Sequence, residues 1–155
     1  EEVPLKFHAQ YSVKSKTYRY TILNRDVRSA RVRHTCLLYP HKLNLPLMRA
    51  EAKALIGRKD FKSFQSADPT RKTNGNTIRT INRADIRKKG DFIYLDIEAD
   101  GFLYKMVRNI IGTLLQIASG RLPKGSTQTI LSKRNRIFAG TTAKAHGLTL
   151  VNVKY

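Results

Sequence analysis

The segment GFLYKMVRNIIGTLLQIA, residues 101–118, limits the possible folds more than any other part of this chain. It has helical periodicity from about Leu103 to Ala118, with Gly120 as its stop. On a helical wheel Leu103, Val107, Ile110, Leu114 and Ile117 form a broad apolar side, and Lys105, Asn109, Thr113 and Gln116 a narrow polar stripe. A helix this apolar has to be covered, so the rest of the chain must supply a surface for it. Arg108 falls at the border of the apolar side, beside Tyr104 and Leu115, with Gly112 leaving space one turn on. A desolvated guanidinium requires an anionic partner, because an unpaired buried charge costs about 3–5 kcal/mol. The candidates are an acid of this chain (Asp96, Glu98 and Asp100 are nearest in sequence), a nucleic-acid phosphate, or an acid from outside the chain.

The covering surface is legible as strands. KTYRYTIL, residues 16–23, alternates, with Tyr18, Tyr20 and Ile22 on one face. HTCLLY, residues 34–39, reads as a second strand. Residues 77–86 and 91–99 read as a hairpin about KKGD, and GLTLVNVKY, residues 147–155, as a terminal strand. A helix capped by Asn44 has Pro46 in its first turn and Gly57 as its stop, and Ser126 caps a short basic helix through Asn135. Residues 65–76 form a long polar loop. These elements predict an α+β fold in a single domain over residues 1–155, an antiparallel or mixed β-sheet with helices packed on one face.

Charge narrows the partner. There are 30 Lys and Arg against 11 Asp and Glu, a net +19, and no acid at all from Gly101 to Tyr155. Such a surplus points to a polyanion, nucleic acid first and a membrane surface second. No apolar run is long enough to cross a membrane. The lone Cys36 and four scattered His argue against disulfides and against a metal site, and a reducing, cytoplasmic setting fits.

Read together, FHAQYSVKSKTYRYTILN, GRKDFKSF, GFLYKMVRNIIGTLL and AHGLTLVNVKY resemble, in order and spacing, the bacterial tRNA pseudouridine synthase A family. The resemblance runs from Phe7 to Tyr155 and corresponds to the C-terminal half of those enzymes. The family's nucleophilic aspartate lies in the other half, in a Gly-Arg-Thr-Asp-Ala-Gly-Val-His type motif. Gly57-Arg58-Lys59-Asp60 is a near match, but Phe61-Lys62-Ser63-Phe64 follows it, so Asp60 is expected to be structural. The first residue is Glu1 rather than Met, which favours an excised fragment.

The resemblance implies that Arg108 pairs with the nucleophilic aspartate, that Tyr18 stacks on the target uracil and assists proton removal from C5, and that Leu148 closes the pocket. The carboxylate attacks the ribose or promotes glycosidic cleavage. It also implies tRNA as partner, uridines of the anticodon stem-loop as targets, no cofactor, no metal, and a homodimer in the full-length protein. Arg71, Lys72, Lys133, Arg134 and Arg136 are candidate phosphate contacts. His8 and His34 have no catalytic claim and are expected at the surface. A non-catalytic basic RNA-binding module of the same fold is the alternative.

Overall fold

The computed structural model describes residues 7–9, 12–68 and 75–155. Six strands form one mixed sheet: β1 (Ser15–Leu23), β2 (Leu37–Leu38), β3 (Gly57–Asp60), β4 (Ile78–Lys89), β5 (Phe92–Ala99) and β6 (Leu148–Lys154). The order is β2-β1-β5-β4-β3, and β6 also pairs with β1. All pairings are antiparallel except β1 with β2. Three helices, α1 (Leu45–Lys53), α2 (Met106–Ala118) and α3 (Ser126–Lys133), complete the α+β architecture. Among the described residues no helix is long and apolar enough to cross a membrane.

Alternation decides which face of the sheet the helices cover. Tyr20 and Ile22 of β1, Ala84 and Ile86 of β4, and Ile93, Leu95 and Ile97 of β5 are buried in one core with Met48, Ala52, Met106, Ile110, Ile111 and Leu114. The opposite face is polar. There Asp96 accepts from Arg19 Nε at 2.7 Å and from Arg87 Nη2 at 2.6 Å. Asp85 stands opposite Asp96 in the ladder, a like-charge pair that these guanidiniums and Arg83, 3.4 Å from Asp85, offset.

Several boundaries differ from the sequence expectation, each for a local reason. Of residues 34–39 only Leu37 and Leu38 pair, with Ile22 and Leu23, at the end of β1 beyond its pairing with β6, which stops at Tyr20. Asn44 caps α1 as expected, accepting from Leu47 N–H at 3.0 Å. The helix ends before Gly57, however; that glycine, at φ +102°, begins β3. Ser126 does not cap α3. Glu51 of α1 does, accepting from Gly125 N–H at 2.5 Å and Thr127 N–H at 3.0 Å, so the cap comes from a packed helix rather than a sequence neighbour. The polar stripe of α2 is not solvated either: Asn109 and Thr113 are fully buried.

What covers that stripe is the segment 139–144, which we call the strap. It runs so close to α2 that a Cβ on Gly112 would stand 1.6 Å from the Thr141 carbonyl oxygen. Gly112→Ala should therefore destabilise the protein by about 3 kcal/mol, read as a lowered urea midpoint. A second expectation concerns Asp96. Its hydrogen bond from Arg19, and then those from Arg87, hold the carboxyl below its ordinary range against the opposing effect of burial. The stabilisation is full above the unfolded value of about pH 4 and is lost as pH falls through the lower folded value. Asp96→Asn should cost about 1–2 kcal/mol at pH 7, allowing for part-exposed arginines, and the gap should narrow in urea unfolding below about pH 4.

Candidate active site

Arg108, Tyr18 and Leu148 come from a helix, an internal strand and an edge strand, and all three line one open cleft of about 310 Å³. In the sheet Tyr18 lies between Ile97 and Leu150, and Leu148 opposite Tyr20. Phe102 meets the Tyr18 ring edge-on, with centroids 5.2 Å apart. The Tyr18 ring is thereby fixed at its edge while the residue stays half-buried, a surface on which a planar base can stack.

Arg108 sits in the first turn of α2, which starts at Met106 rather than Leu103. Lys105, just before it, is held left-handed at φ +56°. A cation in a first turn is opposed by the positive end of the helix dipole, and an anion placed there satisfies both. Among the described residues no carboxylate forms an ion pair with Arg108. The three acids nearest in sequence are engaged elsewhere. Asp96 and Glu98 pair on the polar face of the sheet, and Asp100 accepts from Thr80 N–H at 3.0 Å. Instead Arg108 Nε donates to the Ala143 carbonyl at 2.7 Å, while Ala143 N–H donates back to the Arg108 carbonyl at 3.1 Å. That clasp uses one edge of the guanidinium and leaves the paired Nη groups as the end-on fork that suits a carboxylate.

The strap that aims Arg108 is itself held by groups the sequence did not single out. Tyr20 hydroxyl donates to the Lys144 carbonyl at 2.7 Å, and burial raises its pKa well above the ordinary phenol value although nearby Arg108 opposes the shift. Asn109 Nδ2 donates to the Phe64 carbonyl at 2.7 Å. Its Oδ1 accepts from Thr142 Oγ1 at 2.6 Å and from Arg136 Nη2 at 3.1 Å. An Asn directly after the arginine was the available signal, but only tertiary packing shows that it faces inward.

Asp60 lies outside this cleft. It accepts from Thr77 Oγ1 at 2.5 Å and Lys62 N–H at 3.0 Å, and Arg134 Nε is 3.2 Å from its other oxygen. Phe61 and Phe64 behind it are buried. Asp68, which sequence reasoning passed over, lines the cleft together with Tyr104 and Lys105.

Among the candidate phosphate contacts, Arg71 and Lys72 lie outside the described residues. Arg134 and Arg136 line a separate groove with Lys62. Arg136 also bonds to Ala139, Asn109 and Thr142, so part of its guanidinium supports the strap. Lys133 Nζ stands over the Phe138 ring, 5.7 Å from its centre. His8 and His34 are exposed.

Residues 52–155 match the family model described as tRNA pseudouridine synthase. Proteins named tRNA pseudouridine synthase A are similar over the whole chain: 43% identical in Clostridium acetobutylicum and 39% in a Thermoanaerobacter species. One from Streptococcus pyogenes is 37% identical over 157 aligned residues. The chain spans 62% of the length of each of these relatives. An α+β domain with an arginine-bearing, aromatic-walled cleft at a helix N-terminus is thus matched by sequence to RNA-modifying isomerases. The chain belongs to the tRNA pseudouridine synthase family.

Because Asn109 joins the strap to α2, Asn109→Ala should lower stability by about 2–3 kcal/mol, leaving Phe64 carbonyl and Arg136 short of partners. Hydrogen exchange should report the same defect locally, as faster exchange of the Ala143 amide.

Proposed function

We propose that this chain supplies the base pocket and the carboxylate-holding arginine of a tRNA pseudouridine synthase acting on uridine in the anticodon stem-loop. The convergence on one cleft of Tyr18, Leu148 and an Arg108 that forms no ion pair among the described residues carries the reading. In it, a carboxylate from outside these 155 residues meets the Nη fork of Arg108. The guanidinium and the positive end of α2 keep that carboxylate ionised and fix its direction toward the ribose. Tyr18 stacks on the flipped uracil and Leu148 closes the apolar side.

The isomerisation breaks the C1′–N1 bond and forms C1′–C5. The carboxylate serves the departure of uracil from C1′, and Tyr18 hydroxyl stands on the side where C5 sheds its proton. N1 regains a proton, so the reaction is balanced without a cofactor. Lys62, Arg134 and Arg136 in their groove, with Lys133, Arg71 and Lys72, hold backbone phosphates without reading sequence. The full-length protein acts as a cytoplasmic homodimer.

The test is pseudouridine formation on a tRNA anticodon arm. In the full-length protein Arg108→Ala should lower kcat at least about 100-fold, as losing one preorganised charge-stabilising donor does. Arg108→Lys should recover little, because an ammonium has no fork. Residues 1–155 alone should bind the RNA and leave uridine unchanged. Isomerisation by these residues alone, abolished by Asp60→Ala or Asp68→Ala, would place the nucleophile in this chain and overturn the proposal.

A further inference from the structure

A second cleft, of about 90 Å³, opens between the β1–β2 loop and residues 144–146. Arg28, Ser29, Arg33, Lys144 and His146 line it above buried Cys36. The loop is folded on itself rather than loose. Cys36 Sγ donates to the Val32 carbonyl at 3.1 Å, Thr35 N–H to the same carbonyl at 3.0 Å, and Arg33 Nε to His34 Nε2 at 2.9 Å. Arg25 is drawn off toward Asp91, 3.4 Å away.

Three permanent cations, Arg28, Arg33 and Lys144, thus converge on one concave site, and no carboxylate lines it. All three are exposed, and none forms an ion pair among the described residues. Converging like charges repel, so the arrangement suits a compact anion with several acceptor oxygens. The two guanidiniums offer the planar forks that grip phosphate.

The cleft is tied to the candidate active site through the chain. Lys144 is four residues before Leu148, a reach of at most about 14 Å even if fully extended. The Lys144 carbonyl also receives the Tyr20 hydroxyl, next to the strap residue that holds Arg108. A strand with one base in the first cleft can therefore bring a neighbouring phosphate within reach of the second.

We propose that Arg28, Arg33 and Lys144 form a binding site for a backbone phosphate of the tRNA, close to the nucleotide being isomerised. This rests on the reading of the chain as part of a tRNA-modifying enzyme, and it assigns a binding role to a loop that resemblance left without one.

The experiment is a salt titration of tRNA binding by the full-length protein, followed by fluorescence anisotropy. In Arg28→Ala/Arg33→Ala, affinity should fall about tenfold or more. The slope of log K against log salt should shrink by nearly one, since the one lost phosphate contact removes about 0.7–0.9. Arg28→Lys/Arg33→Lys should keep most of the slope. Lys88→Ala/Lys89→Ala, exposed at the end of β4, should change it little. These arginines are surface residues, so the variants should fold normally.

Unchanged affinity and slope in the alanine variant, with a parent that binds and modifies tRNA, would overturn this inference alone. An equal loss in the Lys88/Lys89 variant would overturn it too, by showing diffuse attraction. A parent that does not bind tRNA would overturn it together with the functional reading. Thermal unfolding in inorganic phosphate against chloride, at equal ionic strength, separates the sources of the anion. Stabilisation by phosphate that vanishes in the alanine variant, with tRNA affinity unchanged by the substitutions, would assign the site to a free phosphate instead.

Discussion

The contact between the strap and α2 is the constraint on which the site depends. Gly112 lets the Thr141 backbone reach the helix surface, and Gly140 does the same beside Thr113, where a Cβ would be 2.7 Å from the Thr113 Cα. At that distance the strap cannot drift, and its polar groups must be met by side chains of the helix. Asn109 and Thr113 meet them: Gly140 N–H donates to Thr113 Oγ1 at 2.9 Å, and Thr142 Oγ1 to Asn109 at 2.6 Å. The Ala143 carbonyl is then fixed in space, and it receives Arg108. The direction of one arginine is thus set by two glycines elsewhere in the chain and by the buried amide of the next residue, Asn109.

Charge distribution reinforces this. The chain is rich in cations, and most of its described acids hold scaffold. Asp96 joins β1 to β4 through Arg19 and Arg87, Glu98 ties β6 down through Lys154, Glu51 caps α3, and Asp60 holds the start of β4 through Thr77. Placing carboxylates inside the framework leaves the clefts positive. Arg108, Arg28, Arg33 and Lys144 are outside those ion pairs, in concave sites where an anion can be received.

The period-2 and period-3.6 patterns made the sheet, the hairpin about Gly90 and the apolar side of α2 legible in advance, because burial on one face writes itself into local alternation. The three cleft residues could be named because they sit in dense motifs. What stayed illegible was long-range. Glu51 is 75 residues from Ser126, so no local pattern could reveal it as the cap of α3. The stripe of Lys105, Asn109, Thr113 and Gln116 looks like a solvated face until the strap covers its middle, and Asn and Thr are equally at home in water and in a satisfied buried network. Asp68 falls within the stretch 65–76 that sequence treats as loop, and only the folded chain after Phe64 brings it to the cleft.

The same geometry favours an arginine at this position for the role proposed above. A lysine in the first turn of α2 could neutralise an anion, but its three N–H groups radiate from one nitrogen, so it could not bond the Ala143 carbonyl and also present a planar fork to a carboxylate. Arginine splits the two roles among its nitrogens, with Nε committed to the strap and the Nη pair left over for an anion. The commitment also limits rotation, so the fork is oriented before any anion arrives. Without an anion the first turn carries an unfavourable accumulation of positive charge, from the guanidinium and from the helix dipole. The strap's backbone carbonyl offsets part of it and cannot remove the charge. The domain is therefore folded around a concentration of positive charge, one that a carboxylate aligned with the Nη fork would neutralise.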